Sequence, residues 1–284
     1  VSHRSRRLNR YDLYELCAQA PERTVRFLLA AHGAGPRVLR DDFAGPAAIA
    51  RAWGRLVPEG RAIAVDRDPA PLAHARRAPG GDRIRCLVAD AARVRCRADV
   101  IAAFNFAVGE LRDRPSLLRY LRAVRASLNR RGIFACDLYG GSDAYTPGAY
   151  VRRLRGPSGE RIEYTWRQRE ADPTTAMVVN SMSFRVGPPA RRDRRRGRED
   201  AAHRRAGPPR TAAVRVLENA FVYRWRLWTI AELRDALAEG GFASTEVYDR
   251  LGDAIDAHGR LILRPVSPGE GLDENWVVAI VARA

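Results

Sequence analysis

At 284 residues and 46% hydrophobic content, the chain is long enough for one large domain or for a domain carrying an insertion. No run of about 18 apolar residues occurs, so no membrane-spanning helix is expected. No apolar signal core follows the basic residues 1–10, so a cytoplasmic location is expected. The net charge of +17 rests on 50 basic residues, all of them arginine. The lack of lysine reads as codon usage, and the arginines are scattered rather than set beside stacking rings, so nucleic acid is an allowed but not a favoured partner.

Residues 11–31 place Leu13, Leu16, Cys17, Val25, Leu28 and Leu29 at helical spacing, broken near Pro21, and make residues 1–34 a helical cover. Residues 37–39 form a short buried strand, followed by the turn Asp42-Phe43-Ala44-Gly45-Pro46 and a helix over 47–56. A second strand over 61–65 ends at Asp66, and Pro69 opens the next helix in its first turn. Strands over 84–88, 99–104 and 132–138, with a helix over 116–128, continue the alternation in nearly unbroken apolar runs. Such runs describe a parallel sheet covered on both faces.

The pattern changes after Tyr139. Residues 161–169, 177–186 and 216–228 alternate apolar and polar positions, with a turn at Asp172-Pro173-Thr174, and predict a small antiparallel sheet inserted over 141–228. Within it, 187–213 is rich in Arg, Pro and Gly with almost no apolar pattern, and reads as a mobile loop. A helix over 230–239, stopped by Gly240-Gly241, and strands over 242–248 and 276–282 return the chain to the main sheet as an antiparallel edge pair. The cysteines Cys17, Cys86, Cys96 and Cys136 lie far apart without ligand spacing, and no metal site is expected. No histidine has a partner at catalytic spacing, so His32, His74 and His258 read as incidental.

In an open parallel sheet, ligands bind outside the carboxyl ends of the strands where strand order reverses. Three acidic positions fall there: Asp41 with Asp42, then Asp66, then Asp90. A glycine turn after the first strand lets the backbone approach a ligand closely. A carboxylate ending the second strand can accept from two ribose hydroxyls, and one ending the third from the exocyclic amine of adenine. The set describes a nucleoside; with neither GxGxxG nor GxxxxGKS/T present, a dinucleotide or a nucleoside triphosphate is disfavoured. Taken singly, Asp41 and Asp42 would serve equally well as caps of the following helix, and Asp66 and Asp90 as turn and surface carboxylates.

The run Val38-Leu39-Arg40-Asp41-Asp42-Phe43-Ala44-Gly45-Pro46-Ala47 resembles motif I of class I S-adenosylmethionine-dependent methyltransferases, in the variant reading DFCGT. Ala64-Val65-Asp66-Arg67-Asp68-Pro69 resembles motif II, Val88-Ala89-Asp90-Ala91 motif III, and Asp99-Val100-Ile101-Ala102-Ala103-Phe104-Asn105-Phe106 motif IV. The resemblance covers about 35–140 and 228–284. It implies a Rossmann-like α/β fold with a mostly parallel seven-stranded sheet formed by 35–140 and 229–284. It also implies S-adenosylmethionine as cofactor, S-adenosylhomocysteine as product, and methyl transfer to a nucleophile. The cofactor contacts it implies come from Asp41, Asp42, Phe43, Ala44, Gly45, Asp66, Arg67, Asp90, Ala91, Asn105 and Phe106. Only Gly45 of the glycine-rich turn remains, and Pro46 removes a backbone donor, so either cofactor binding is weakened or the turn is built differently.

Phe104-Asn105-Phe106-Ala107 departs from the Asn/Asp-Pro-Pro-aromatic signature of amino methyltransferases acting on nucleic-acid bases. The insertion falls where small-molecule methyltransferases carry substrate lids, so a small-molecule acceptor is expected, lined by Tyr11, Tyr14, Tyr164, Trp166, Tyr223 and Trp225. As rings that merely pack the sheet, the last four need no ligand. No catalytic residue is assigned. The alternatives are an RNA-binding or RNA-modifying relative, a non-catalytic S-adenosylmethionine-binding module, and a nicotinamide-dependent reductase. Asp66 permits the last, and the missing GxGxxG disfavours it.

Overall fold

Continuous apolar strands need cover on both faces, and the sheet receives it. A computed structural model describes residues 7–189, 213–249, 251, 254–255 and 261–284. Strands β1 (Val38–Asp42), β2 (Arg61–Asp66), β3 (Ile84–Val88), β4 (Ala98–Ala103) and β5 (Leu128–Gly140) run parallel. With β10 (Ser244–Tyr248) and β13 (Trp276–Arg283) they form a seven-stranded sheet in the order β10-β13-β5-β4-β1-β2-β3. β13 is antiparallel to both its neighbours.

Side chains alternate across this sheet. Val100, Ala102, Ile133 and Ala135 face a core built with α2 (Pro21–His32), α3 (Ala48–Leu56) and α4 (Pro69–Arg77). Ile101, Ala103, Phe134 and Cys136 face a second core built with α5 (Arg114–Ser127) and α6 (Ile230–Glu239). Asp68 caps α4 through the Ala70 N–H, and Asp113 caps α5 through the Ser116 N–H. The register sets Asp42 beside Val65 and Asp66 beside Val88, so β1, β2 and β3 end along one edge. Order reverses at β1, between β4 and β2, which opens a crevice there.

The insertion is a four-stranded antiparallel sheet, β6 (Gly148–Arg155), β7 (Arg161–Asp172), β8 (Met177–Gly187) and β9 (Arg215–Arg226), in that order. The sequence reading found three of these strands. β6 escaped it because it is an edge strand with seven of its eight residues exposed, which carries no buried alternation. A two-stranded hairpin, β11 (Ala254–Ile255) with β12 (Leu261–Ile262), was also not expected. The mobile-loop expectation over 187–213 falls, apart from its ends, on 190–212, outside the described residues.

One face of the inserted sheet meets α1 (Arg10–Ala18). Leu13 and Cys17 are buried against Ile162, Tyr164, Met182 and Phe184. The same helix is pinned to the main domain by the ion pair Glu15–Arg51 and by His74, whose ring lies 5.2 Å from that of Tyr11. His74 also has the Asp12 and Glu15 carboxylates at 3.7 Å. The histidine that read as incidental thus joins α1 to α4. α1 roofs the crevice from one side and the inserted sheet from the other.

Candidate functional site

The turn after β1 is built on left-handed residues: Phe43 at φ 55°, Gly45 at φ 53° and Ala47 at φ 56°. Non-glycine residues there cost on the order of 1–3 kcal/mol each and persist only when their surroundings hold them. Here Asp66 does much of the holding. Its Oδ2 accepts the Gly45 N–H at 2.8 Å and its Oδ1 accepts the Asp68 N–H at 2.9 Å. Ala44 donates to the Val65 carbonyl at 2.9 Å, and Ala47 to that of Ala44 at 2.8 Å. The turn therefore does not use the N–H that Pro46 lacks. Nothing lies within 4 Å of where a Cβ on Gly45 would sit, which leaves that backbone open to a ligand.

Asp41 and Asp42 do not fill the expected role. β1 continues through Asp42, so both side chains stay on opposite faces of the sheet and line none of the clefts described below. Asp41 is buried and accepts the Ala50 N–H at 3.2 Å, satisfying the first turn of α3, whose own N-cap position, Ala47, offers no side-chain acceptor. Burial raises its carboxyl well above the usual range. Asp42 forms a wholly enclosed pair with Arg40 at 2.9 Å and accepts the Tyr120 hydroxyl at 3.0 Å. The helix-cap alternative is nearer the truth for Asp41, and Asp42 belongs to a buried ion pair.

Along the carboxyl edge of the strands, three clefts adjoin one another. The first, about 350 Å³, is walled by Phe43, Asp66, Arg67, Asp90, Ala91 and Leu111. The second, about 410 Å³, shares Phe43, Asp66, Arg67 and Glu110 with it and extends past Ala44 and Gly45 to Arg10, Tyr11 and Tyr223. The third is about 980 Å³; it meets the second at Tyr14, Asn105 and Trp225 and is walled by Phe106, Tyr139, Tyr164 and Trp166. All the cofactor positions expected from sequence except Asp41 and Asp42 line these clefts, as do all six aromatic substrate positions. Asp90 keeps one oxygen on the Ala92 N–H at 3.0 Å. A carboxylate at the end of β2, an open glycine backbone and a second carboxylate after β3 fit a nucleoside with an amino-acid tail, the outline of S-adenosylmethionine.

Three groups at the junction were not foreseen. Asp137, on β5, accepts the N–H groups of Asn105 at 3.1 Å and Phe106 at 2.7 Å. It thereby holds two successive left-handed residues, at φ 63° and φ 61°, where β4 gives way to the clefts. Burial pushes its carboxyl up to about 7 despite those donors. Its signal in sequence is a lone acid in the apolar run Ile133-Phe134-Ala135-Cys136-Asp137-Leu138. Glu110 accepts the Trp225 Nε1–H at 3.1 Å and faces Arg67 at 3.4 Å, tying β9 to the cleft wall. Gly109 permits that approach, since a Cβ there would stand 2.9 Å from the Cβ of Trp225. Tyr139 accepts from Asn180 Nδ2 at 2.9 Å, and burial pushes its phenol up to about 12.

The rings form one assembly. Trp225 lies 4.5 Å from Tyr223, 5.8 Å from Phe106 and Trp166, and 6.4 Å from Tyr139, measured between centroids. Sheet packing and cavity lining are therefore joint properties of the same residues.

No protein-family model matches the chain, and no curated protein matches it. Solved structures do. An S-adenosylmethionine-dependent methyltransferase from Clostridium acetobutylicum is 13% identical with a TM-score of 0.64, over 95% of this chain and 96% of that one. An amino pentose methyltransferase from Micromonospora echinaspora, solved with S-adenosylmethionine bound, is 16% identical with a TM-score of 0.65, over the whole of both chains. A sugar N-methyltransferase from Streptoalloteichus sp. is 17% identical with a TM-score of 0.62, over 100% of this chain and 97% of that one. At such identities the likeness is one of fold: the chain has the Rossmann-like fold of S-adenosylmethionine-dependent methyltransferases.

Proposed function

We propose that this protein transfers a methyl group from S-adenosylmethionine to an amino group of a small molecule held in the aromatic cavity. The observation that carries the reading is the continuity of the clefts: a nucleoside-shaped crevice at the end of β2 opens into the ring-lined cavity through Tyr14, Asn105 and Trp225. The name of one similar structure, a sugar N-methyltransferase, supports an amine acceptor, and that of another, an amino pentose methyltransferase, supports a small amine-bearing substrate.

Asp66 is the acceptor for ribose hydroxyls and Asp90 for the adenine amine. The open Gly45 backbone allows close approach between them and the neck. When bound, S-adenosylmethionine supplies an electrophilic sulfonium methyl. Tyr14, Asn105 and Trp225 hold the acceptor close and aligned, which accounts for most of the acceleration such a displacement needs. The rings of Phe106, Tyr139 and Trp166 keep water away, and their faces stabilise the positive charge that a neutral amine gains as it takes the methyl group.

The acid–base chemistry favours nitrogen. Burial raises the phenols of Tyr14, Tyr139 and Tyr164, so they stay protonated near neutral pH. Among the described residues, the one carboxylate lining the cavity is Asp143, steadied by Asn275 Nδ2 at 3.0 Å. An alcohol would need a base to lose its proton; a neutral amine needs none before attack, and Asp143 can take the proton afterwards.

Calorimetry with S-adenosylhomocysteine and NADH tests the cofactor: the first should bind and the second should not. Mass spectrometry on matched amine and alcohol acceptors then tests the nucleophile. Methylation confined to the alcohols would refute the amine assignment, and failure to bind S-adenosylhomocysteine would refute the whole reading.

A further inference from the structure

Asp137 lines none of the three clefts, yet it stands behind the place where the second and third meet. β4 ends at Ala103, and the chain then turns through Asn105 and Phe106, both left-handed. Asn105 lines the second and third clefts. Phe106 lines the third, its ring 4.9 Å from that of Tyr139 and 5.8 Å from that of Trp225. The backbone N–H groups of both residues end on the one carboxylate, one on each oxygen. The turn shared by the cofactor and acceptor sides is therefore fixed from β5, by a side chain that reaches neither.

Folding alone does not call for this arrangement. Two glycines would make the same turn without steric cost, whereas Asn105 and Phe106 make it under backbone strain. The acid in the strand is itself unfavourable, since burial raises its carboxyl to about 7. What these costs preserve is two side chains at the neck, which glycine would remove.

We infer that Asp137, as a carboxylate, is a positioning residue for methyl transfer, fixing Asn105 and Phe106 so that the methyl-bearing end of the cofactor faces the acceptor cavity. The inference rests on the S-adenosylmethionine reading above. The ionised form accepts from both N–H groups; a protonated carboxyl turns a hydroxyl toward one of them and holds the pair less firmly. The titratable groups close enough to act on Asp137 are the Tyr14 phenol of α1 and the Cys136 thiol of its own strand, while β13 places Ala279 beside it. Burial raises both the phenol and the thiol, so neither ionises near neutral pH.

The test is calorimetry with two ligands that share the nucleoside and the amino-acid tail. Sinefungin carries an amine where the cofactor carries its methyl, and so probes the neck; S-adenosylhomocysteine has nothing there. At pH 8, Asp137→Asn should weaken sinefungin about 10-fold and leave S-adenosylhomocysteine within about twofold. At pH 6, where the wild-type carboxyl is mostly protonated, the difference between the two proteins on sinefungin should shrink to about twofold. Equal loss on both ligands, or unchanged sinefungin affinity at pH 8, overturns the inference. A second measurement needs neither variant nor ligand: in wild-type protein labelled with ¹⁵N at asparagine and phenylalanine, the Asn105 and Phe106 amide protons should move downfield together as pH rises through about 7. Amides that stay in place overturn it too. If wild-type protein binds neither ligand while these amides titrate, the cofactor reading fails, an outcome distinct from the others.

Discussion

Replacing Asp137 with asparagine keeps the side chain's shape and removes its ability to ionise. The carboxyl titrates at about 7 instead of the ordinary 3.8, because burial penalises the charged form more than its N–H donors favour it. Between those values the folded protein keeps a proton that the unfolded chain has lost. Stability contributed by this group is therefore greatest below about pH 4, falls as pH rises to about 7, and is level above that. From pH 5 to pH 8 the loss amounts to roughly 2–3 kcal/mol; the partial solvent exposure of the residue shrinks the figure without changing its sign. The Asp137→Asn variant would escape the loss. At pH 5 it should be less stable than the wild type by about 1–3 kcal/mol, since its NH₂ cannot accept from one of the two backbone donors. By pH 8 the gap should close or invert. Urea unfolding of both proteins at both pH values, with shared m-values, measures it, and other titrating groups cancel in the difference. A gap that stays constant across the range would refute the buried-carboxyl reasoning.

Asp66→Ala should lower S-adenosylhomocysteine affinity by about 1.5–3 kcal/mol in calorimetry, the worth of a hydrogen bond to a charged acceptor. Arg40→Met should cost about 3–5 kcal/mol in denaturant unfolding, because it leaves the Asp42 carboxylate enclosed without its cation. Tyr164→Ala and Trp225→Ala, at 6% and 3% exposure, should each lose about 3–5 kcal/mol of stability. Trp166→Ala, at a half-buried position on the same cavity, should instead reduce acceptor turnover with a smaller fall in melting temperature and unchanged S-adenosylhomocysteine affinity.

The main sheet was legible because its strands are unbroken apolar runs ending in acids or turns, and Asp66 and Asp90 followed from where those runs stop. Asp41 and Asp42 did not, for a reason of period. Extending β1 to Asp42 keeps both carboxylates in the alternating faces of the sheet, whereas ending it at Leu39 frees them for the crevice. Glu110 sits in a short 3₁₀ turn, Ala107–Glu110, between β4 and α5, a stretch with no periodicity, and its partner Trp225 is 115 residues away. Such a pairing has no local trace. Asp137 did leave one, an acid where the strand pattern asks for an apolar residue, and a buried polar group in that setting calls for partners. The ring positions of the inserted sheet were visible as alternation in β7 and β9; that the same rings both pack and line the cavity depends on partners far away in sequence, Phe106 and Tyr139 against Trp225.

That docking has a consequence for biosynthesis. α1 leaves the ribosome well before the strands it packs on: Leu13 and Cys17 bury themselves on β7 and β8, and Arg152 reaches the Cys17 carbonyl across 135 residues of chain. At ordinary rates of synthesis the apolar face of α1 waits on the order of 10 s for that surface to exist. The cavity roof is thus exposed to early mispairing, and contacts of such long range close slowly even once both sides are made.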